Sequence, residues 1–356
     1  MNRLHVQSRE TLFHRRHELA RQLIARIQES QSNTGRGIQT VTEERIQSIE
    51  QHFLELGESM FHSASTSFLE HVLWSESVHL AHSVGELELS EELQAMKSII
   101  IDVLPEEAVP VALEILHGAL GKLGKDGASS TRGFIEEQGD EKHQEYLDSL
   151  LRGDRKGASR LVTKALDSGM DIRTIYIDVF QRSQHVLGDL WMHNKISVAQ
   201  EHFCTAATQQ IISSLYEYTF GAEHNGRIFV GACVGSELHE LGIRMVCDFL
   251  QMEGWDTRYL GANTPAQAIV EEVARSGAEV LGISATMTYH LRQVSEIIAA
   301  VRGCDETSQT RIVLGGYPFL QDPQLYAELG ADGYAKGARE AVTLLDPERK
   351  GDPSSP

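Results

Sequence analysis

Cysteine is scarce in this chain of 356 residues, and its placement is uneven. The four cysteines are Cys204, Cys233, Cys247 and Cys304, and no two of them have C-x-x-C spacing. The pattern does not indicate a disulfide framework, so we expect buried or half-buried thiols in a reducing cytoplasm. The first 203 residues contain no cysteine, so a cofactor held there cannot be attached through a thiol.

Long apolar runs and an excess of basic residues are also missing. The chain has no run of about 18 apolar residues, and its polar start lacks the apolar core of a secretory signal. Lysine and arginine number 32 against 51 aspartates and glutamates, which gives a formal net charge of −19. Since this charge repels a phosphate backbone, direct binding of nucleic acid is not expected. Together with the cysteines and the missing apolar run, the sequence predicts a cytoplasmic protein that does not bind a membrane.

The spacing of apolar residues changes along the chain and divides it into domains. Helical spacing over residues 1–123 predicts an all-helical N-terminal domain for sensing or interaction. A glycine-rich linker is expected at 124–142, and 143–222 return to helical spacing typical of a four-helix bundle. In residues 226–347 short apolar strands alternate with helices, which predicts a Rossmann- or flavodoxin-like doubly wound parallel sheet. The fold class is therefore α plus α/β, with a disordered tail expected at 348–356.

Turn residues and polar residues refine the two helical domains. In the bundle, helices are expected to break at Gly153, at Ser168-Gly169 and at Asn194. In the N-terminal domain, Ser90 is expected to cap a helix. Nine of the sixteen histidines fall within residues 1–120, and most of them are expected on helix surfaces.

A histidine-containing loop follows the first predicted strand. Its sequence is Glu237-Leu238-His239-Glu240-Leu241-Gly242, and parallel α/β sheets bind ligands at the carboxyl ends of their strands. His239 is a candidate metal ligand, because neutral imidazole binds transition metals well. Glu237 could hold the other ring nitrogen, and Gly242 lets the backbone pass close to a ligand.

Two further blocks follow at defined spacing. After Gly242, 41 residues precede Ser284-Ala285-Thr286, and 28 more precede Gly315-Gly316. This pattern resembles the cobalamin-binding domain of methionine synthase, base-off mutases and corrinoid proteins, whose motif is D-x-H-x-x-G, S-x-L and G-G.

The resemblance implies a role for each motif residue. His239 would ligate cobalt in place of the cofactor's own benzimidazole, and Ser284 and Thr286 would line the slot that receives that base. Gly315 and Gly316 would leave room for the nucleotide tail. Two positions depart from the family: Glu237 stands where the family has Asp, and Thr286 stands where it usually has Leu.

A second pattern lies upstream, in the predicted bundle. Trp191 is followed after nine residues by Glu201-His202. This W-x9-E-H spacing resembles the cobalamin photoreceptors related to the light-dependent repressor CarH, in which the bundle caps the corrin. The resemblance implies that the three side chains surround the adenosyl group of adenosylcobalamin. Met192 stands where the repressor has a second cobalt-binding histidine, and the nearest histidine is His193.

These resemblances predict a light-sensing function for the chain. Light would break the cobalt–carbon bond, and domain packing or the state of a homo-oligomer would change and signal to an unknown partner. On this interpretation the chain is not an enzyme. The alternative is a corrinoid shuttle protein for methyl transfer, which needs the bundle, the sheet and His239 but not the W-x9-E-H pattern.

The N-terminal domain has two interpretations. The photocobilin subgroup of these photoreceptors pairs a cobalamin module with a helical domain that carries biliverdin. The architecture resembles that arrangement, and biliverdin would then be held without a covalent bond, because no cysteine is available. The alternative is a domain for dimerisation or partner docking.

Overall fold

The computed structural model describes most of the chain. The described residues are 3–34, 42–61, 68–69, 71–73, 75–76, 86–123, 141–193, 195–219 and 222–346. The predicted tail and nearly all of the predicted linker lie outside them. Contacts group the chain into two compact units, Met1–Glu137 with Gly188–Ser197 and Gln138–Leu187 with Val198–Pro356. In the part of the chain that is described, no helix is both long and apolar enough to cross a membrane.

The first unit is helical. Its main helices are α1 (Arg3–Thr34), α2 (Glu43–Phe61), α3 (Glu86–Val103) and α4 (Val109–Leu120). Their apolar faces form one core that includes Leu19, Phe53 and Leu93, all fully buried. Pro110 stands in the first turn of α4, where its missing N–H costs no hydrogen bond. Ser90 lies inside α3 rather than at its start, so the predicted cap is wrong.

The second unit begins with helices. They are α5 (Glu141–Leu151), α6 (Arg155–Asp167), α7 (Ile172–Thr174), a π-helical segment (Ile175–Gln181), α8 (Arg182–Met192) and α9 (Val198–Ser214). The end of α8 belongs to the first unit. The breaks predicted at Gly153 and Gly169 are confirmed, and both glycines have positive φ. The break predicted at Asn194 lies outside the described residues.

A five-stranded parallel sheet completes the second unit, which confirms the predicted fold class. Its strands and helices are β1 (Ile228–Cys233), α10 (Leu241–Met252), β2 (Asp256–Gly261), α11 (Ala266–Ser276), β3 (Val280–Ser284), α12 (Leu291–Gly303), β4 (Arg311–Gly315), α13 (Tyr317–Gln321), α14 (Leu325–Glu328), β5 (Gly333–Tyr334) and α15 (Ala338–Leu345). The central strands are apolar along their length because helices cover both faces of the sheet.

The strand order determines where a ligand can bind. The order is β2-β1-β3-β4-β5, so the chain leaves β1 towards one side of the sheet and leaves β3 towards the other. The loops after β1 and β3 therefore diverge and leave a crevice at the carboxyl edge, as in other doubly wound sheets. The loop with His239 follows β1, and the loop with Thr286 follows β3.

Candidate functional site

The carboxylate of Glu237 joins the two loops at the crevice. Its Oε1 accepts a hydrogen bond from the backbone N–H of His239 (2.9 Å) and another from Nδ1 of the same residue (2.6 Å). Its Oε2 accepts the backbone N–H of Thr286 (2.5 Å) and Nδ1 of His290 (3.1 Å). Glu237 is only 1% exposed, so one buried group holds both loops together.

The charge on this carboxylate determines the state of the imidazole. Burial acts to raise the pKa of Glu237, but the hydrogen bonds from His239 and His290 outweigh it, and the pKa lies well below its usual value. The same bond from Glu237 raises the pKa of His239 against the effect of burial. An ionised Glu237 accepts the Nδ1 proton, so Nε2 is the nitrogen that remains for a ligand.

Backbone geometry before the motif directs Glu237 into the crevice. Ser236 has a φ of 65°, a left-handed conformation that is unusual for a residue with a side chain. The Oδ1 of Asn263, in the loop after β2, accepts the Ser236 N–H at 2.8 Å, and the Asn263 N–H is bonded to the Glu237 carbonyl at 3.0 Å. The two loops hold each other, which stabilises the turn that presents His239.

The other predicted blocks lie at the same edge of the sheet. Ser284 is paired in register with Cys233 on one side and with Gly315 on the other, so the last residues of β1, β3 and β4 are level. A Cβ at Gly315 would make only ordinary contact, 3.6 Å from the Ala335 carbonyl. Packing therefore does not require glycine at position 315, and the slot beside Ser284 stays a prediction.

Gly316 differs from Gly315 in this respect. Its φ is 106°, and a Cβ there would lie 2.0 Å from the carbonyl oxygen of Ala285. The fold itself demands glycine at this position. Room for a nucleotide tail is therefore not needed to explain Gly316, in contrast to the explanation from the motif.

The surface around His239 combines an exposed imidazole with an exposed apolar side chain. The side chain of His239 is 67% exposed. Its neighbour Leu238 is 73% exposed, which is unusual for a large apolar residue. A Cβ at Gly242 would meet no atom within 4 Å, so the start of α10 is open. His239, through its Nε2, and Leu238 are the residues that would hold a cobalamin at this edge.

The residues predicted for the upper face of the cofactor are only partly brought together. Glu201 is half-buried on α9, and its charge is the smallest of the causes that raise the pKa of His239. His202 is exposed and its Nδ1 bonds the Glu201 carboxylate at 2.5 Å. Trp191 is half-buried near the end of α8 and belongs to the first unit, so its grouping with Glu201 stays a prediction. The Nδ1 of His193 donates to the Asp189 carbonyl (2.7 Å).

Sequence reasoning missed His290 and Glu240. His290 is buried in the turn before α12, and its Nε2 lacks a hydrogen-bond partner among the described residues. The carboxylate of Glu240, next to His239, bonds Gln209 of α9 and the backbone of Ala262. The only sequence signal for either residue was its position in a loop after a strand, which does not single it out.

Comparison with known proteins gives this geometry a context. Residues 143–216 and residues 227–343 each match a family described as B12 binding domain. Dimethylamine corrinoid protein 3 of Methanosarcina acetivorans is 31% identical over 123 residues, 34% of this chain and 56% of the relative. The chain thus spans about half the length of that relative. A corrinoid protein of Desulfitobacterium hafniense is 23% identical over 209 residues, 57% of this chain and 94% of that protein.

The fold also matches a solved structure. The monomethylamine corrinoid protein of Methanosarcina barkeri aligns with a TM-score of 0.52 at 21% identity, over 58% of this chain and 97% of that one. At this identity the likeness establishes the fold alone.

These comparisons correct the prediction made from the W-x9-E-H pattern. Several of the relatives are named dimethylamine corrinoid proteins, and these names do not describe light sensors. The prediction of a photoreceptor that signals through light-dependent packing or assembly is therefore wrong, and the corrinoid-protein alternative has the better support. The sequence pattern misled because the W-x9-E-H spacing does not specify which group a bound cobalt carries. Residues 143–216 and 227–343 of this chain are B12-binding domains, a helical cap followed by a Rossmann-like sheet.

Proposed function

We propose that this chain is the corrinoid carrier of a methyl-transfer system, with His239 as the lower ligand to cobalt. The observation that carries the proposal is the bond from His239 Nδ1 to buried Glu237, which leaves Nε2 exposed at the crevice. The names of the curated relatives support the methyl-carrier role and suggest a methylated amine as the donor. A separate methyltransferase would be the partner, and the chain itself would carry the group rather than catalyse its transfer.

Each motif residue then has a task that its surroundings support. Glu237 holds the tautomer and direction of His239, and His290 and the Thr286 N–H hold Glu237. Ser284 and Thr286 would line the slot for the displaced benzimidazole, next to Gly315. Bound cobalamin supplies a cobalt centre that can accept and release a methyl group.

Polar residues of helix α9 would also act on the bound cofactor. Glu201 bonds His202 and also accepts the hydroxyl of Thr205 at 2.8 Å, so a small polar network lies on α9. We propose that Glu201 and His202 limit access of water to the bound cofactor. A methyl group needs little room there, so these side chains would shield it rather than recognise it.

Binding of different cobalamins in the dark tests the proposal. Methylcobalamin, adenosylcobalamin and hydroxocobalamin are titrated separately, and the shift of the absorption spectrum is recorded. A methyl carrier should bind methylcobalamin at least as tightly as adenosylcobalamin. Strong selection for adenosylcobalamin would overturn the proposal.

Two finer expectations about ligands and assembly are settled by the same samples. Biliverdin added to the loaded protein should produce a new red absorption band only if the first unit binds it. Size-exclusion chromatography of the loaded protein measures whether it is a homo-oligomer. Neither result alters the test of the methyl-carrier role.

A further inference from the structure

One side of helix α9 carries polar side chains that lead to the motif loop. Glu201, Thr205 and Gln209 are spaced four residues apart, so they lie on one face of the helix. All three are half-buried. The Thr205 hydroxyl bonds Glu201, and Gln209 Nε2 donates to Oε1 of Glu240 at 2.6 Å. Helix α9 is therefore linked by a hydrogen bond to Glu240, the residue directly after His239.

The carboxylate of Glu240 is shared by three parts of the second unit. While Oε1 accepts the bond from α9, Oε2 accepts the backbone N–H of Ala262, after β2, at 2.9 Å. The hydroxyl of Tyr259, on β2, lies at the same place beside Gly261, and burial, followed by this carboxylate, raises the pKa of Tyr259. A Cβ at Gly261 would lie 3.2 Å from Glu240 Oε2, so glycine lets the carboxylate lie close to the strand end.

Arg244 makes a second tie between the same helices. Its Nη2 donates to the hydroxyl of Ser213 at 2.9 Å, and its Nη1 reaches the carbonyl of Gln209 at 3.5 Å. Arg244 lies one turn after Glu240 on α10, so both ties act on the same side of that helix. Only the tie through Glu240, however, is adjacent to the imidazole that faces the crevice.

We infer that Glu240 is a positioning residue that couples helix α9 to His239. Gln209 holds the Glu240 side chain, and that side chain holds the motif loop to the end of β2. If α9 moves away from the sheet edge, the hydrogen bond between Gln209 and Glu240 is lost. The motif loop then becomes more mobile, and the position of the His239 side chain is less well defined. The inference deepens the proposed function and rests on it only for the part that concerns cobalt.

The experiment places a second carboxylate against Glu240 and then removes the conflict. In Gln209→Glu, two carboxylates face each other at the position of the 2.6 Å bond, and the tie is replaced by repulsion. In the double variant Gln209→Glu with Glu240→Gln, the new amide donates to the carboxylate introduced on α9, while its oxygen still accepts the Ala262 N–H. Gln210→Glu is the matched control, since the exposed Gln210 instead accepts a bond from Arg155.

Two readouts separate this inference from the proposed function. Hydrogen exchange of the cobalamin-free chain reports the His239 and Ala262 amides, and the absorption spectrum of bound hydroxocobalamin reports ligation by His239. Gln209→Glu should speed exchange of both amides by about tenfold and reduce the histidine-ligated fraction. The double variant should recover both values, and Gln210→Glu should change neither.

Three outcomes decide the inference. Unchanged exchange in Gln209→Glu would overturn the coupling, and so would a double variant as impaired as the single one. If amide exchange changes but ligation of cobalt by His239 does not, the bond between Gln209 and Glu240 affects only the stability of the loop. This result would also overturn the positioning role. If even the unmodified protein binds no cobalamin, the proposed function fails, while the exchange data still decide whether α9 and the loop are coupled.

Discussion

Each compact unit contains a buried carboxylate that faces a histidine, and the two networks differ in where they end. In the sheet, Glu237 lies between His239 and His290, and His239 reaches the surface. In the first unit, Glu92 on α3 accepts Arg45 at 2.8 Å and faces Nε2 of His52 at 3.6 Å. The network then continues from His52 to His71, which is also buried.

The difference shows which network is suited to a ligand. Nδ1 of His52 and Nε2 of His71 are 2.8 Å apart, so one imidazole donates its proton to the other and the contact satisfies both. Burial, followed by the charge of His52, holds the pKa of His71 far below its usual value. Among the described residues this network is buried in the helical core, whereas the network of Glu237 presents an exposed nitrogen at a crevice.

Removing the charge of Glu237 should have the largest effect on this contrast. Glu237→Gln leaves the amide unable to accept all four hydrogen bonds, so ligation of hydroxocobalamin by His239 should weaken by about 10- to 100-fold. Glu237→Asp keeps the carboxylate and serves as the control. Spectral titration measures both affinities, and a Gln variant that binds as tightly as the unmodified protein would contradict the role of Glu237.

The corresponding change in the first unit should affect stability alone. Glu92→Gln removes the charge that faces Arg45 and His52, which should cost about 2 kcal/mol in local stability. Faster hydrogen exchange in α2 and α3 would report this loss, and cobalamin affinity should stay unchanged. The neighbouring Glu91→Gln is the control. A loss of cobalamin binding in Glu92→Gln would break the contrast between the two networks.

His290→Ala tests the contribution of His290, which the sequence did not predict, to the hydrogen bonds around Glu237. Its loss removes one donor from Glu237 Oε2 but leaves the Thr286 N–H in place, so we expect ligation by His239 to weaken by about tenfold. His290→Asn can restore a donor near the position of Nδ1 and should recover part of the affinity. Equal affinities for the Ala variant and the unmodified protein would remove His290 from the site.

Acid should lower the stability of the helical unit through the buried His71, and we expect this effect to be the smallest. A histidine whose pKa is lowered by folding binds its proton more readily when unfolded, so its stabilising effect is complete above the unfolded pKa of about 6.5. As the pH falls below 6.5 towards the folded pKa of His71, stability should drop by up to about 1.4 kcal/mol per pH unit. Exchange of the α2 amides between pH 7 and pH 5 measures this. His71→Gln should flatten the dependence, and exposed His117→Gln should leave it unchanged.

Much of the fold and part of the site could be predicted from pattern alone. Apolar strands that alternate with helices predict a parallel sheet, and its register brings Ser284 level with Gly315 without further information. The partner of the imidazole was also predictable, because Glu237 is two residues from His239 and the distance is local. The π-helical turn at Ile175–Gln181 could not be predicted, since no residue in it marks the change in hydrogen bonding.

The rest depended on contacts between distant segments. His290 reaches Glu237 only because β1 and β3 are neighbours in the sheet, and Glu240 meets Gln209 only because α9 packs beside the loop. His52 and His71 are buried and are exceptions to the expectation that most of these histidines lie on helix surfaces. For His52 the signal was present: it is three residues after Ile49 and four before Leu56, which places it on the buried face of α2.

The four cysteines differ in exposure, which allows a probe to be attached to the protein at one position. Cys204, Cys233 and Cys247 are buried, and burial raises the pKa of the Cys233 thiol to about 12, so they resist alkylation. Cys304 is partly exposed and directly follows the last residue of α12. Helices in such a sheet run opposite to the strands, so Cys304 lies at the amino edge, away from His239. The unmodified protein therefore carries a natural attachment point for one fluorescent probe that leaves the crevice undisturbed.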